Sequence, residues 1–180
     1  EAGLQVITFN FSSPTPSELK PVTLRFNFPS VDVSGYWNPT FADKSNYWRS
    51  AFSSKASTWA PIFTLYNNRS QNRITYALSD ALNKIEFWNY IKEEDVNFHP
   101  AIRLFSEKMP KTTEYEIELR VDTRQKPYYE AIAEVSDWWA SMPEYAPLYV
   151  PSIAKRPMYS TWYSYHQSIT AEEIIKESKL

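Results

Sequence analysis

The chain has no cysteine, which excludes disulfides, thiolate zinc sites and a cysteine nucleophile together. It has two histidines, His99 and His166, too far apart in sequence to read as a histidine metal cluster. Glycine occurs twice, at Gly3 and Gly35, against a usual share of about 7%. A glycine-rich phosphate loop therefore has no residues to form it, and turns fall to the 13 prolines and to Asn, Asp and Ser. An excess of basic charge is also missing: the formal charge is −2, the pI is near 5.8, and Lys and Arg are scattered. That gives no field for a phosphate backbone, so no nucleic-acid partner is expected. Apolar runs stop well short of the roughly 20 residues of a membrane span, and no signal-peptide pattern opens the chain. Neither a membrane partner nor a cofactor or metal is expected. Glu1, where an initiator methionine would stand, sets the expectation of a preceding segment.

What is present is aromatic. Phe, Trp and Tyr make up 17% of the 180 residues, with seven Trp and thirteen Tyr. This suits a β-rich core and equally a sugar-stacking surface. With 43% apolar and 22% charged residues the composition is globular, and the length holds one ordinary domain plus part of another.

Period-two alternation marks the strands. In EYEIELRV, Tyr115, Ile117, Leu119 and Val121 share one face and Glu114, Glu116, Glu118 and Arg120 the other. VTLRFNF repeats the pattern with Val22, Leu24, Phe26 and Phe28. Weaker candidates are 4–11, 60–66, 73–78, 84–91 and 100–105, separated by turn material such as SSPTPS, NNRSQN and EKMPKTT, while 30–58 reads as long loops. About seven short strands without crossover helices predict a mainly β fold, an antiparallel β-sandwich over residues 1–125.

The period changes at Pro127. Tyr128, Ile132, Val135, Trp139 and Met142 form one helical stripe, predicting a helix over roughly 127–141 with Pro127 in its first turn. Pro143, Pro147, Pro151 and Pro157 then make a stiff extended connection, so 126–156 is expected to be a connecting helix and linker. Beyond it comes RPMYSTWYSYHQSITAEEIIKESKL, a short aromatic strand, a polar loop and a helix opening at about 171. Thr170 and Glu173 stand in capping-box register with Ile169 and Ile174 at staple positions. Leu180 leaves that helix at about three turns, so residues 157–180 are expected to be the start of a unit that continues.

This order of elements, with Ser160, Thr161 and Trp162 followed by Ala171, Glu172, Glu173 and Ile174, resembles the opening of the (β/α)₈ barrel in glycoside hydrolases of the melibiase type, the α-galactosidases and their raffinose-synthase-like relatives. The specific match covers about 25 residues. The resemblance implies a supersandwich-like domain ahead of the first β-α unit of a truncated catalytic barrel. It also implies two catalytic aspartates on later strands, beyond this chain, since retaining hydrolysis needs a carboxylate pair about 5 Å apart. The fragment is thus expected to lack catalytic residues and to be inactive alone, supporting the barrel and shaping its site. Tyr163 and Ser164 stand where relatives often carry an acid, which leaves the sugar open.

Four residues are candidates for sugar contact. Trp162 lies toward the C-terminal end of the expected first barrel strand, where barrel sites form, and an indole stacks on a sugar face; packing between sandwich and barrel is its bland alternative. His166 follows in the next loop. Trp37 and Trp48 sit in the loop-like region beside Tyr36, Asn38, Tyr47 and Arg49, an aromatic-amide-guanidinium mixture that suits carbohydrate and equally suits closing a sandwich end. Trp139 is expected in the core and Trp138 against the barrel. The acidic run Glu93, Glu94 and Asp95 reads as a solvated loop, and Asn68-Arg69-Ser70 fits a glycosylation sequon. The expected partners are a galactoside-like carbohydrate in the parent enzyme, the chain's own barrel, and a second copy pairing through the tail as a homodimer. A glycan-degrading parent favours a periplasmic or extracellular setting over a cytoplasmic one. An independent carbohydrate-binding module or a structural surface β-domain are the other two functions the sequence allows.

Overall fold

A computed structural model describes residues 2–39, 49–54, 60–92, 94–145, 148–157, 160 and 165–179, with backbone alone for 49–54. Its strands are β1 (Leu4–Ser17), β2 (Val22–Arg25), β3 (Phe28–Pro29), β4 (Gly35–Trp37), β5 (Arg49–Ser54), β6 (Ile62–Tyr66), β7 (Asn72–Leu78), β8 (Ile85–Lys92), β9 (Asn97–Phe98), β10 (Ala101–Leu104) and β11 (Thr112–Asp122). One sheet has the order β1-β11-β7-β6-β4; the other runs β2-β10-β8-β9-β3, with β5 also on β8. All the pairings among these strands are antiparallel, and the fold is mainly β.

The alternation in β11 does what its pattern implies. Tyr115, Ile117, Leu119 and Val121 turn to a core in which Phe63, Leu65, Ile74, Tyr76 and Leu78 of the first sheet meet Ile85, Phe87, Ile102 and Leu104 of the second. Each such side chain, once buried, stabilises the fold by about 1.5–3 kcal/mol relative to exposure. Strand β6 departs from alternation because both of its faces are covered: Phe63 and Leu65 face the second sheet, and Ile62 faces a helix. The polar residues this traps are paired. Thr64 and Thr75 share a hydroxyl bond of 2.9 Å, and the Thr75 hydroxyl donates to Asn72 at 2.9 Å.

That helix is α1 (Tyr128–Ala140). Pro127 is its N-cap and not a first-turn residue, with extended backbone at φ −52° and ψ 131°. Ala131 and Val135 are buried, and the Val135 side chain, with Ile132, Trp138 and Trp139 beside it, closes on Ile62 and Ala77. Trp138 therefore packs on its own sheet, with the Arg120 guanidinium 5.8 Å above its ring.

Two segments differ from the sequence expectation. The SSPTPS stretch is part of β1 and not a turn. Pairing runs regularly from Leu4↔Asp122 to Ser12↔Glu114, then shifts so that Ser17 meets Thr112. Pro14 and Pro16 lie in that irregularity on the outermost strand of the sheet, where a missing amide donor breaks no ladder. The 30–58 region, expected as loops, contains β4 and β5. β5 has little pattern of its own and is a strand because the edge of β8 supplies its partner over Arg49↔Tyr90 to Ser54↔Ile85.

Residue contacts divide the chain into a first unit, Glu1–Tyr145, which includes α1, and a second, Ala146–Leu180. The second holds a 3-10 turn at Ser152–Lys155 and α2 (Ala171–Glu177). The capping box forms: the Glu173 amide donates to Thr170 Oγ1 at 3.3 Å, and the Thr170 amide donates to Glu173 Oε2 at 2.8 Å. The Tyr165 hydroxyl donates to Glu177 Oε1 at 2.9 Å. Most of the expected barrel strand, residues 158, 159 and 161–164, lies outside the described residues.

Candidate functional site

Of the four sequence candidates, Trp48 and Trp162 lie outside the described residues. His166 is exposed in the second unit with left-handed backbone, φ 48°. Trp37 is half-buried in β4 and packs toward Ile62, Ala77 and Val135. Its neighbour Tyr36 points to the opposite side and stacks on Phe63 at 5.5 Å. Strand alternation thus separates the two aromatics that the sequence set side by side.

The first unit has a polar cleft of about 290 Å³ beside the ends of β7 and β11, lined by Ser79, Asp80, Asn83, Tyr115, Glu116, Glu144 and Tyr145 among others. That is the lower end of ligand-pocket size. Asp80 lines it and is fully engaged. One carboxylate oxygen accepts from the Leu82 and Asn83 amides at 2.8 and 3.0 Å, and the other from Asn83 Nδ2 at 2.6 Å and from the Tyr115 hydroxyl. Burial, reinforced by the Asp80 carboxylate, pushes the Tyr115 phenol far above its ordinary range, and burial also raises Tyr145. Both phenols are therefore protonated donors at any physiological pH. The cleft can hold hydroxyl groups, with the Glu116 and Glu144 carboxylates also in its wall.

The Tyr145 hydroxyl donates to the Ser79 carbonyl at 2.7 Å and accepts from the Ala81 amide at 2.7 Å. A turn earlier, Trp139 Nε1 donates to the Leu78 carbonyl at 2.9 Å. Two aromatic side chains thus tie the end of α1 and the following 3-10 turn (Pro143–Tyr145) to the last residues of β7 and just beyond. At the middle of α1, Glu134 receives Lys126 Nζ at 2.5 Å, Arg120 Nη2 at 3.1 Å and the Arg124 guanidinium. Asp122, with 1% of its side chain exposed, accepts from Arg124 Nη2 at 2.6 Å and faces Lys126 Nζ at 3.0 Å. Burial opposes its ionisation, but the hydrogen bonds from Arg124 and Lys126 outweigh that and bring its pKa down to about 2. Those from Lys126 and Arg124 likewise hold Glu134 below the usual carboxylate range.

Alternation followed only as far as Val121 misses this cluster. Its signal was the spacing of Asp122, Arg124 and Lys126, which continues the period of two past the strand. In the acidic run, Glu93 is outside the described residues and Glu94 is exposed, while Asp95 bonds His99 Nε2 at 2.9 and 3.0 Å, which lowers the Asp95 pKa. The His99 ring stacks on Tyr90 at 5.5 Å, so the pair closes the β8-β9 hairpin. Among the described residues no group of three His, Asp or Glu side chains could hold a metal ion, and no helix is long and apolar enough to cross a membrane. No protein-family model, curated protein or solved structure matches the chain.

Proposed function

We propose that the first unit is a β-sandwich serving as the non-catalytic amino-terminal domain of a glycoside hydrolase of the melibiase type, with residues 157–180 beginning its catalytic barrel. The observation that carries this reading is the tied exit of the first unit. A domain that holds and orients its successor needs its last residues fixed to its own core, and Trp139 and Tyr145 do this through three hydrogen bonds to the backbone of 78–81. The stiff Pro-rich segment and the capped helix α2 come directly after it in the chain. In this role the sandwich shapes the barrel's site for a galactoside-like carbohydrate, while the catalytic pair comes from later strands.

The test is to read the coding sequence downstream of Leu180 and to assay both products. Further β-α units totalling most of a roughly 250-residue barrel are expected. The long product should release nitrophenol from aryl α-galactosides and the 180-residue chain should not. A stop codon directly after Leu180 would sink the proposal. So would glycosidase turnover by the 180-residue chain that disappears in Glu144→Gln or Glu116→Gln.

A further inference from the structure

At the opposite end of α1 from the tied exit, three tyrosines meet a polar turn. Tyr66, the last residue of β6, stacks on Tyr128 with centroids 4.3 Å apart and planes at 16°; Tyr129 stands edge-on to Tyr128 at 5.9 Å. The Tyr66–Tyr128 pair closes the end of the sheet. That explanation does not extend to Tyr129, which sits in the first turn of α1 and is 59% exposed. A large aromatic held by its neighbour at one edge, with most of its surface in water, is a stacking platform without a partner.

The turn beside it is built to hold its groups still. Asn67 is 5% exposed; its Oδ1 accepts from the Arg69 and Gln71 amides at 3.0 Å each, and its Nδ2 donates to Gln71 Oε1 and Asp32 Oδ2 at 3.1 Å each. The Ser70 carbonyl accepts from the Tyr128 amide at 2.9 Å, which joins turn and tyrosines into one surface. Two charged groups at this turn have capacity left over. Arg73 Nη1 stands 3.8 Å from Asp32 Oδ2, too far for a hydrogen bond, and the Arg73 side chain is 25% exposed. The Asp32 side chain is 51% exposed. A guanidinium and a carboxylate separated by that gap suit a hydroxyl group, which accepts from one and donates to the other.

We propose that this surface binds a neutral oligosaccharide, with one pyranose ring stacked on Tyr129 and hydroxyls of a neighbouring ring shared between Asp32 and Arg73. Tyr129 and the Asp32–Arg73 pair are separate contact points, so the proposed ligand has more than one sugar residue. A phosphorylated or nucleic-acid ligand does not fit, because the Asp32 carboxylate faces the same gap as Arg73. The site needs no barrel and stands apart from the function proposed above.

The experiment is saturation-transfer NMR on the 180-residue chain with α-1,6-galactobiose, maltotriose and methyl α-galactopyranoside. Transfer from at least one of the two oligosaccharides, stronger than from the monosaccharide, is expected. Tyr129→Ala should abolish it and Tyr129→Phe should keep it, with both variants retaining the parent's thermal midpoint because the ring is exposed. Asp32→Asn should weaken binding about tenfold, the effect of losing a hydrogen bond to a charged group. No transfer from any probe, or equal transfer in Tyr129→Ala, overturns the proposal. Neither result touches the downstream coding sequence that decides the scaffold role.

Discussion

At the scale of single residues, the first unit relies on polar side chains that are fully used where they are buried. Asp122 shows how that becomes pH dependence. Its pKa falls from an ordinary 3.8 to about 2 in the folded chain. A depressed carboxylate contributes stability that is fully present above its unfolded pKa and is lost as the pH falls through its folded one. Asp122→Asn should therefore cost of order 2 kcal/mol near neutral pH. That deficit should shrink below about pH 4 and vanish toward pH 2. Urea unfolding of both chains at pH 7, 4 and 2.5 measures it; a deficit that is the same at all three values would assign the cost to shape and not to charge. Glu134 shifts in the same direction but is more exposed, so it adds less. The scarce glycines have a local meaning too: a Cβ on Gly35 would lie 2.7 Å from the Tyr66 ring, so β4 passes that ring only because no side chain is there.

At the scale of elements, α1 is held to the sheet at three places: the Glu134 ion cluster, the Val135 contact and the Trp139–Leu78 bond. The middle one is apolar and buried, and Val135 is 1% exposed. Val135→Ala should cost about 2 kcal/mol through lost burial and an unfilled gap against Ile62 and Ala77. Thermal or urea unfolding measures it; a change below a few tenths of a kcal/mol would mean the Glu134 cluster and the Trp139 bond dock the helix without it. β1 and β5 show a different element-level rule. A strand rich in Ser and Pro forms where a neighbouring strand offers a free edge, so β8 makes β5, and β11 carries β1 past its prolines.

At the scale of the whole molecule, the described core residues of the first unit run from Phe9 to Trp139. A chain ended at Tyr145 should therefore unfold cooperatively with a midpoint within a few degrees of the full chain. The second unit exposes Leu148, Tyr149 and Ile153 at 90%, 85% and 75%, an apolar stretch that favours association. Light scattering should then find the shortened chain monomeric and the full chain heavier than one copy at high concentration. Non-cooperative melting of residues 1–145 would show that the second unit is needed for folding, and equal molar masses would remove the homodimer.

What the sequence determined by itself was whatever depends on neighbours along the chain. The period of two in 114–121, the helical stripe from Tyr128 to Trp139 and the Thr170–Glu173 cap were all legible, because each is a local interaction between residues a few positions apart. The absence of cysteine and the shortage of glycine bounded the chemistry in the same direct way. What only the tertiary structure decided was anything that takes a partner from far off in sequence. β5 has no alternation to announce it. The packing of α1 on the outer face of the first sheet could not be read from its own stripe, because a stripe says that a face is buried and not against what. The tyrosine surface depends on Tyr66 stacking on Tyr128, on Asp32 accepting from Asn67, and on the Ser70 carbonyl taking the Tyr128 amide, contacts made only when the β6-β7 turn lies against the start of the helix. Loop closure over that many residues leaves no periodic trace, so composition supplied the aromatic count while the fold chose which rings face water.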